Sequence, residues 1–433
     1  MNSTPTAAGC ARARMSHIRW VICGLLFLAT VIAYVDRSAL SLLKVTLEGK
    51  IPGLNSDSYS TITAGFMYAY GGGLILAGGL TDKLGTRLSF ALAITLWSFA
   101  AMLPGAAHSV EGLVGAMVLL GVAEAANFPV CIRTVAEWFP QAERALATAL
   151  FNSGANAGTM VMPFVVVFFT ARFGWRAAFV AIGALGLLWL GLWLLIYRRP
   201  EKHPWVSPGE LRHIASDRGE AAAKVPWHQL LPVKETWAFA IGKFMTDAIW
   251  WFWLFWLPTY FHSEFHLQLG QTSVPFATVY LISIAGSIGA GWLPAYWLRR
   301  GRTANFARKM SMLVCALAVT PVIYAPFSHS LWTVVGLIGL AAAAHQGWSA
   351  NIFTIPSDVF PKTAVASVVG IGGLAGAIGG GLFQELTGII TSRSHHNYLP
   401  LFAMACCAYP LALLILHVMT PRLAPARIAG RLV

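Results

Sequence analysis

Apolar residues in this chain come in long runs, separated by short polar or Pro/Gly-rich stretches. Twelve such runs stand near residues 18–43, 60–80, 88–107, 110–133, 145–170, 175–197, 236–261, 272–298, 309–327, 331–355, 364–390 and 397–420. A helix needs roughly 20 predominantly apolar residues to cross the hydrocarbon core of a bilayer. Within lipid the backbone must satisfy its own polar groups, so these spans are helices rather than strands. The pattern predicts an all-α membrane protein with twelve transmembrane helices. The first run, from about Ile18, is too long for a signal-peptide core and has no clear cleavage site, so it reads as the first span.

Composition points the same way. Of 433 residues, 57 % are hydrophobic and 11 % charged, against roughly 25 % charged in an ordinary soluble domain. These values exclude a cytosolic globular enzyme, a disordered chain and a disulfide-stapled secreted domain. The six cysteines show no metal-ligand or redox spacing, and neither a metal nor a cofactor is expected. No nucleophile–base set or soluble output domain stands out, which argues against an enzyme or a sensor.

The net charge of +13 changes the picture only through its location. With both termini on one side, that side's connections hold most of the 30 Lys and Arg residues. Lys44, Lys50, Arg172, Arg176 and Arg393 fall opposite, and Arg37 and Lys243 lie inside spans. The positive-inside rule then places both termini in the cytoplasm. The basic excess is topogenic, and nucleic acid is an unnecessary partner.

The longest polar stretch, Arg198–Glu235, carries Pro200, Pro204, Pro208 and Pro226 and falls between spans six and seven. It reads as a cytoplasmic linker (198–235) between two six-helix bundles, 1–197 and 236–433. A repeat supports that division: Glu137-Trp-Phe-Pro-Gln-Ala is echoed by Asp358-Val-Phe-Pro-Lys-Thr, each ahead of a Gly/Ala-rich helix. Parallel halves of this kind place a substrate site at their interface near mid-membrane.

Polar residues inside spans carry the chemistry, because they are costly there. Tyr34, Arg37 and Ser41 share one face of the first span, with Asp36 about 100° away. Arg37 offers a planar fork of donors to a carboxylate and Asp36 a titratable group; the alternative is a mutually neutralised structural pair. Glu124 in span four has no cation among its local helical neighbours, which suits it to load and release a proton. Its alternative is a protonated hydrogen-bonding role. Lys243 and Asp247 in span seven either pair with each other or leave Lys243 as a second substrate cation. The Trp-rich run that follows reads mainly as packing and interfacial anchoring.

His345, Gln346, Trp348 and Asn351 cluster in span ten, where they offer polar groups and a ring to a hydroxylated ligand or serve as packing. Asn152 and Asn156 in span five stand one turn apart on one face. Glycine clusters in spans two, five, eight and eleven permit close helix approach.

The segment 79–87, with Leu80, Asp82, Gly85 and Arg87, resembles the L-x-D-x-x-G-x-R part of the G-x-L-x-D-x-x-G-x-R signature of the major facilitator superfamily. Asp82 there would latch one conformation, with Arg133 as its candidate partner. From about His17 to Thr420 the chain resembles the anion:cation symporter family within that superfamily. The marks are Tyr34-Val-Asp-Arg37, Ala123-Glu124-Ala125, Glu137-Trp-Phe-Pro140, Glu143-Arg144-Ala145 and the 79–87 segment. The stretches Lys243–Pro258, His345–Thr354 and Ser367–Gly373 look like bacterial hexuronate transporters.

The resemblance implies that Arg37, Tyr34 and Tyr70 contact a sugar acid and that Asp36 and Glu124 couple its uptake to protons. Met117, Ala155 and Gly373 depart from relatives that carry Arg, Gln and Asn there, which argues against simple galactonate specificity. The expectation is a proton-driven symporter of the inner membrane, working as a monomer on a small organic anion. Another organic anion, such as an aromatic acid, an aldonate or a dicarboxylate, is the rival substrate.

Overall fold

The computed structural model describes residues 16–216, 225–394, 397–428 and 431–432. Its first long helices are α1 (Ile18–Glu48), α2 (Ser56–Leu84), α3 (Thr86–Met102), α4 (Val110–Glu124), α5 (Asn127–Trp138), α6 (Gln141–Phe173) and α7 (Trp175–Ile196). Two short helices follow, α8 (Pro208–Ala215) and α9 (Trp227–Leu230). The remainder are α10 (Lys234–Phe265), α11 (Leu269–Arg299), α12 (Ala304–Val319), α13 (Leu331–Ile352), α14 (Ile355–Val359), α15 (Lys362–Arg393) and α16 (Leu399–Met419). With α4–α5 and α13–α14 each counted as one pass, every predicted span has its helix. Among the described residues, nine passes are apolar enough to cross a membrane on length and composition alone. The other three, α2, α10 and α13, carry more of the polar and aromatic residues.

One correction to the run 110–133 concerns continuity. It is two helices joined through Ala125 and Ala126, and Glu124 is the last residue of α4. Pro129 explains the break, since it has no N–H to return to the Ala125 carbonyl and its ring crowds that turn. Pro356 stands in the same relation to Ile352, where α13 ends. The internal repeat then becomes structural. Phe139 (φ −122°, ψ 138°) and Phe360 (φ −109°, ψ 152°) are both extended, and Pro140 and Pro361 each open a long helix.

Helix approach sets the position of the site. A Cβ on Gly154 or Gly158 would run into the backbone of α1 at Phe27 and Val31, so only glycine allows α6 to lie that close. Contact between the first and second sets of six passes runs through α2–α15, α6–α11 and α1–α10. Three hydrogen bonds across that boundary lie toward the end bearing the α1–α2 turn. Ser392 donates to Asp57 at 2.6 Å, Tyr59 to the Phe255 carbonyl at 2.8 Å, and Tyr68 to Glu385 at 3.1 Å. Lys44, Tyr59 and Trp256 are buried there. This end is packed shut.

At the other end the polar segment after α7 folds back onto the first passes. No side chain caps α1, because His17 at its N-cap makes no such bond. Glu210 on α8 supplies the missing acceptor in trans. Its carboxylate takes the backbone N–H groups of Ile18 (3.0 Å) and Arg19 (3.1 Å), the Arg19 guanidinium (3.1 Å) and the Ser16 hydroxyl. Arg19 also pairs with Glu143 at the start of α6 (2.9 Å), which His213 of α8 meets at 2.9 Å.

Burial alone would push the Glu210 carboxyl up, but the Ser16, Arg19 and Ile18 hydrogen bonds outweigh it and hold the group below its ordinary value. A depressed folded-state value means that this stabilisation is complete above about pH 4.5 and fades as pH falls through the folded-state value. Glu210→Gln is therefore expected to destabilise the protein by about 2 kcal/mol at pH 7. Thermal unfolding in detergent should show the gap to wild type closing as pH drops into the carboxylate range.

Candidate functional site

The side chains of α1, α2, α4 and α10 converge on one buried guanidinium. Arg37 is 2 % exposed, and its Nη2 lies 2.7 Å from Oε2 of the fully buried Glu124. Its Nε donates to the Ala33 carbonyl at 3.3 Å. Four rings enclose its Cζ: Tyr34 at 4.5 Å, Tyr70 at 5.2 Å, Trp251 at 5.5 Å and Phe66 at 5.6 Å. A desolvated cation facing a ring gains about 2 kcal/mol, and the carboxylate supplies the compensation that a buried charge requires. The cage holds a cation and its counter-ion away from bulk water.

Sequence proximity misleads at this point. Arg37 pairs with Glu124 on another helix and not with its neighbour Asp36. Asp36 is buried, and neither of its oxygens has a hydrogen-bond partner among the described residues. Tyr34 is held in place from behind by the close passage of Gly158. Phe66 and Trp251 complete the cage, although neither is among the site residues expected from sequence, and Trp251 is hidden in an aromatic run. The signal for Phe66 is its place one turn before Tyr70 on α2, where the two rings stack at 6.0 Å.

On α10, Lys243, Asp247 and Trp251 recur every four residues and so form one stripe. Lys243 Nζ pairs with Asp247 Oδ2 at 2.7 Å and lies 4.2 Å over the Phe353 ring. Span ten divides. Gln346 donates to Asn156 at 2.9 Å, and Ser283 of α11 donates to the same oxygen at 3.3 Å, so α6, α11 and α13 meet at one polar node. His345 instead contacts the Tyr409 hydroxyl at 2.7 Å and stacks on Trp250. Trp348 packs edge-on against Tyr409, and the Asn351 amide donates to the Gly347 carbonyl of its own helix. Asn152 and Asn156 stand one turn apart on α6, but Asn152 is exposed while Asn156 is buried.

Near the α2–α3 turn, Arg133 reaches the Thr81 carbonyl at 2.9 Å and Glu137 at 3.2 Å. Arg87 donates to the Leu194 carbonyl at 2.6 Å. The Asp82 side chain lies outside the described residues, so its role as Arg133's latch partner is not on view. Among the described residues no group of three or more His, Cys, Asp or Glu is placed to hold a metal ion.

A family description matches residues 26–384, from within α1 to within α15, and that family is the Major Facilitator Superfamily. The chain belongs to the Major Facilitator Superfamily. It is a membrane-spanning transporter, and its relatives are transporters rather than enzymes. The hexuronate transporter of Escherichia coli (strain K12) is 28 % identical over 398 residues, covering 90 % of this chain and 91 % of the relative. A probable galactarate/D-glucarate transporter of Bacillus subtilis (strain 168) is 30 % identical over 367 residues, covering 81 % and 80 %. Among solved structures, the inward-open xylose transporter of E. coli superposes with a TM-score of 0.73 at 15 % identity, covering 96 % of this chain and 98 % of that one.

Proposed function

We propose that this transporter takes up a hexuronate, galacturonate or glucuronate, together with a proton, and that the Arg37–Glu124 pair is the exchange point. The observation that carries the reading is the 2.7 Å contact inside the aromatic cage. A proton on Glu124 removes the charge that holds the guanidinium, and a substrate carboxylate takes the freed donors. Tyr34, Tyr70 and Trp251 then face the sugar ring, with Asn156 and Gln346 as polar groups on the opposing wall. Asp36, buried without a hydrogen-bond partner among the described residues, is a second proton acceptor. Lys243 already carries Asp247. Each Glu124 proton therefore frees one cation, which suits a monocarboxylate better than a dicarboxylate.

Two halves, 1–197 and 236–433, rock about the filled site, and the segment 198–235 joins them at the cytoplasmic end. The bias of Lys and Arg toward that end supports cytoplasmic termini in the inner membrane. Among the relatives, the hexuronate transporter lends support for the sugar acid by similarity alone.

The test is uptake into proteoliposomes with an acidic exterior and a panel of acids. Labelled galacturonate or glucuronate should accumulate, collapse with a protonophore and resist competition by aldarates and aromatic acids. Accumulation of a different organic anion, with neither hexuronate moved, overturns the substrate assignment.

A further inference from the structure

At the end where α2 gives way to α3, a cavity of about 640 Å³ opens between the α2–α3 turn, the end of α7 and the segment after it. Four cations line it: Arg87, Arg198, Arg199 and Lys202. All four are exposed. Of the carboxylates close by, Glu137 is engaged elsewhere. Glu137 is held by Arg133 at 3.2 Å, the Thr86 hydroxyl at 2.7 Å and the Tyr197 hydroxyl at 2.6 Å, and Glu201 also has a partner.

Two further features converge on the cavity. The first is the start of α3. Gly85, at φ 77°, opens that helix with no side-chain cap, and residues 86–88, whose N–H groups lead the helix, line the cavity. Uncapped N–H groups beside concentrated positive charge are a seat for a phosphate oxygen. The second is the surface above. Leu88, Leu92 and Leu96 form an exposed stripe along α3, and Leu188, Leu192 and Leu195 an exposed face on the adjacent α7. Both stripes start at the cavity's rim and run into the membrane-spanning region.

We propose that this cavity binds the phosphate headgroup of an anionic phospholipid, with its acyl chains lying along the α3 and α7 leucine stripes. Free phosphate shares the headgroup chemistry but has nothing to place on the leucines, so the rim favours the lipid. Basic pockets at the cytoplasmic ends of membrane helices recognise such headgroups. The site is distinct from the Arg37 cage, and it stands or falls independently of the hexuronate assignment.

Purified full-length protein in detergent, titrated with phosphatidylglycerol or phosphatidylcholine, provides the test, read as lipid retained by native mass spectrometry and as Tm. Wild type should retain phosphatidylglycerol over phosphatidylcholine and gain Tm with it alone. The triple variant R198Q/R199Q/K202Q should bind phosphatidylglycerol about a hundredfold more weakly, from three surface cations at roughly fivefold each. The charge-conserving variant R198K/R199K should bind like wild type, and R299Q/R300Q/R302Q, at another cationic turn, should too. Equal retention by the R198Q/R199Q/K202Q protein would overturn the proposal. So would matching losses in R299Q/R300Q/R302Q, or a Tm gain from inorganic phosphate as large as that from the lipid.

Discussion

Glu124→Gln is expected to abolish accumulation against a gradient while leaving exchange of internal for external substrate within a fewfold of wild type. The amide has the shape of the protonated acid and cannot release its proton. Arg37 then stays available to a substrate carboxylate whatever the pH. One pH unit corresponds to 1.36 kcal/mol per proton, so one coupled proton supports about tenfold accumulation of a monocarboxylate. In the variant that ratio should fall to about one, because the group whose proton releases the guanidinium no longer titrates and Asp36 does not contact the guanidinium. Its KM should also lose its pH dependence, since the group that competes for the guanidinium no longer titrates. Parallel measurements of gradient-driven uptake and counterflow in proteoliposomes separate the two functions. Full concentrative uptake by the variant would remove Glu124 from the coupling role.

The contrast between Glu124 and Asp36 shows where sequence reading reaches its limit. The spans were legible because lipid leaves a chain few choices, and a long apolar run has only one way to satisfy its backbone. The internal repeat was legible because Pro140 and Pro361 are local signals that open helices. The Arg37–Glu124 pair was not legible, because its partners sit on different helices and sequence ranks Asp36 as the nearer counter-ion. Only the packing of α1 against α4, with α6 drawn close at Gly154 and Gly158, decides which carboxylate reaches the guanidinium.

Lys44 shows the same limit from another direction. Counted by sequence it is a basic residue of the outer side. In the structure it is 1 % exposed, pairs with Glu48 at 3.0 Å, and has Tyr59 and Trp256 rings about it at 5.5 Å and 5.4 Å. His345 and Trp348 do lie on one stripe, but that stripe faces Trp250 and Tyr409, which periodicity cannot foresee. Glu210 had no sequence signal at all. Its burial follows from what α1 lacks, a capping side chain, and from the folding of α8 onto that uncapped start.

Arg37→Lys carries the other large expected effect, a rise in substrate KM of about thirtyfold to a hundredfold with Vmax changed less. The guanidinium performs three tasks that one ammonium cannot combine. It bonds Ala33 along its own helix, it presents a second nitrogen to a carboxylate, and its flat face meets the Tyr34 and Tyr70 rings. A lysine keeps the charge and one bond, and loses the fork and most of the ring contact. Together these are worth about 2–3 kcal/mol, which at 1.4 kcal/mol per factor of ten gives the stated range. Because the charge is retained opposite Glu124, the variant should fold and be purified as wild type is, so the change in KM reports recognition. Combining Arg37→Lys with Glu124→Gln sharpens the argument. If the two residues form one exchange point, their effects on substrate affinity are non-additive, because the glutamine has already removed the competitor that the lysine would face. Strictly additive effects, or wild-type affinity in the single lysine variant, would mean that the substrate carboxylate binds elsewhere and that the caged pair is structural.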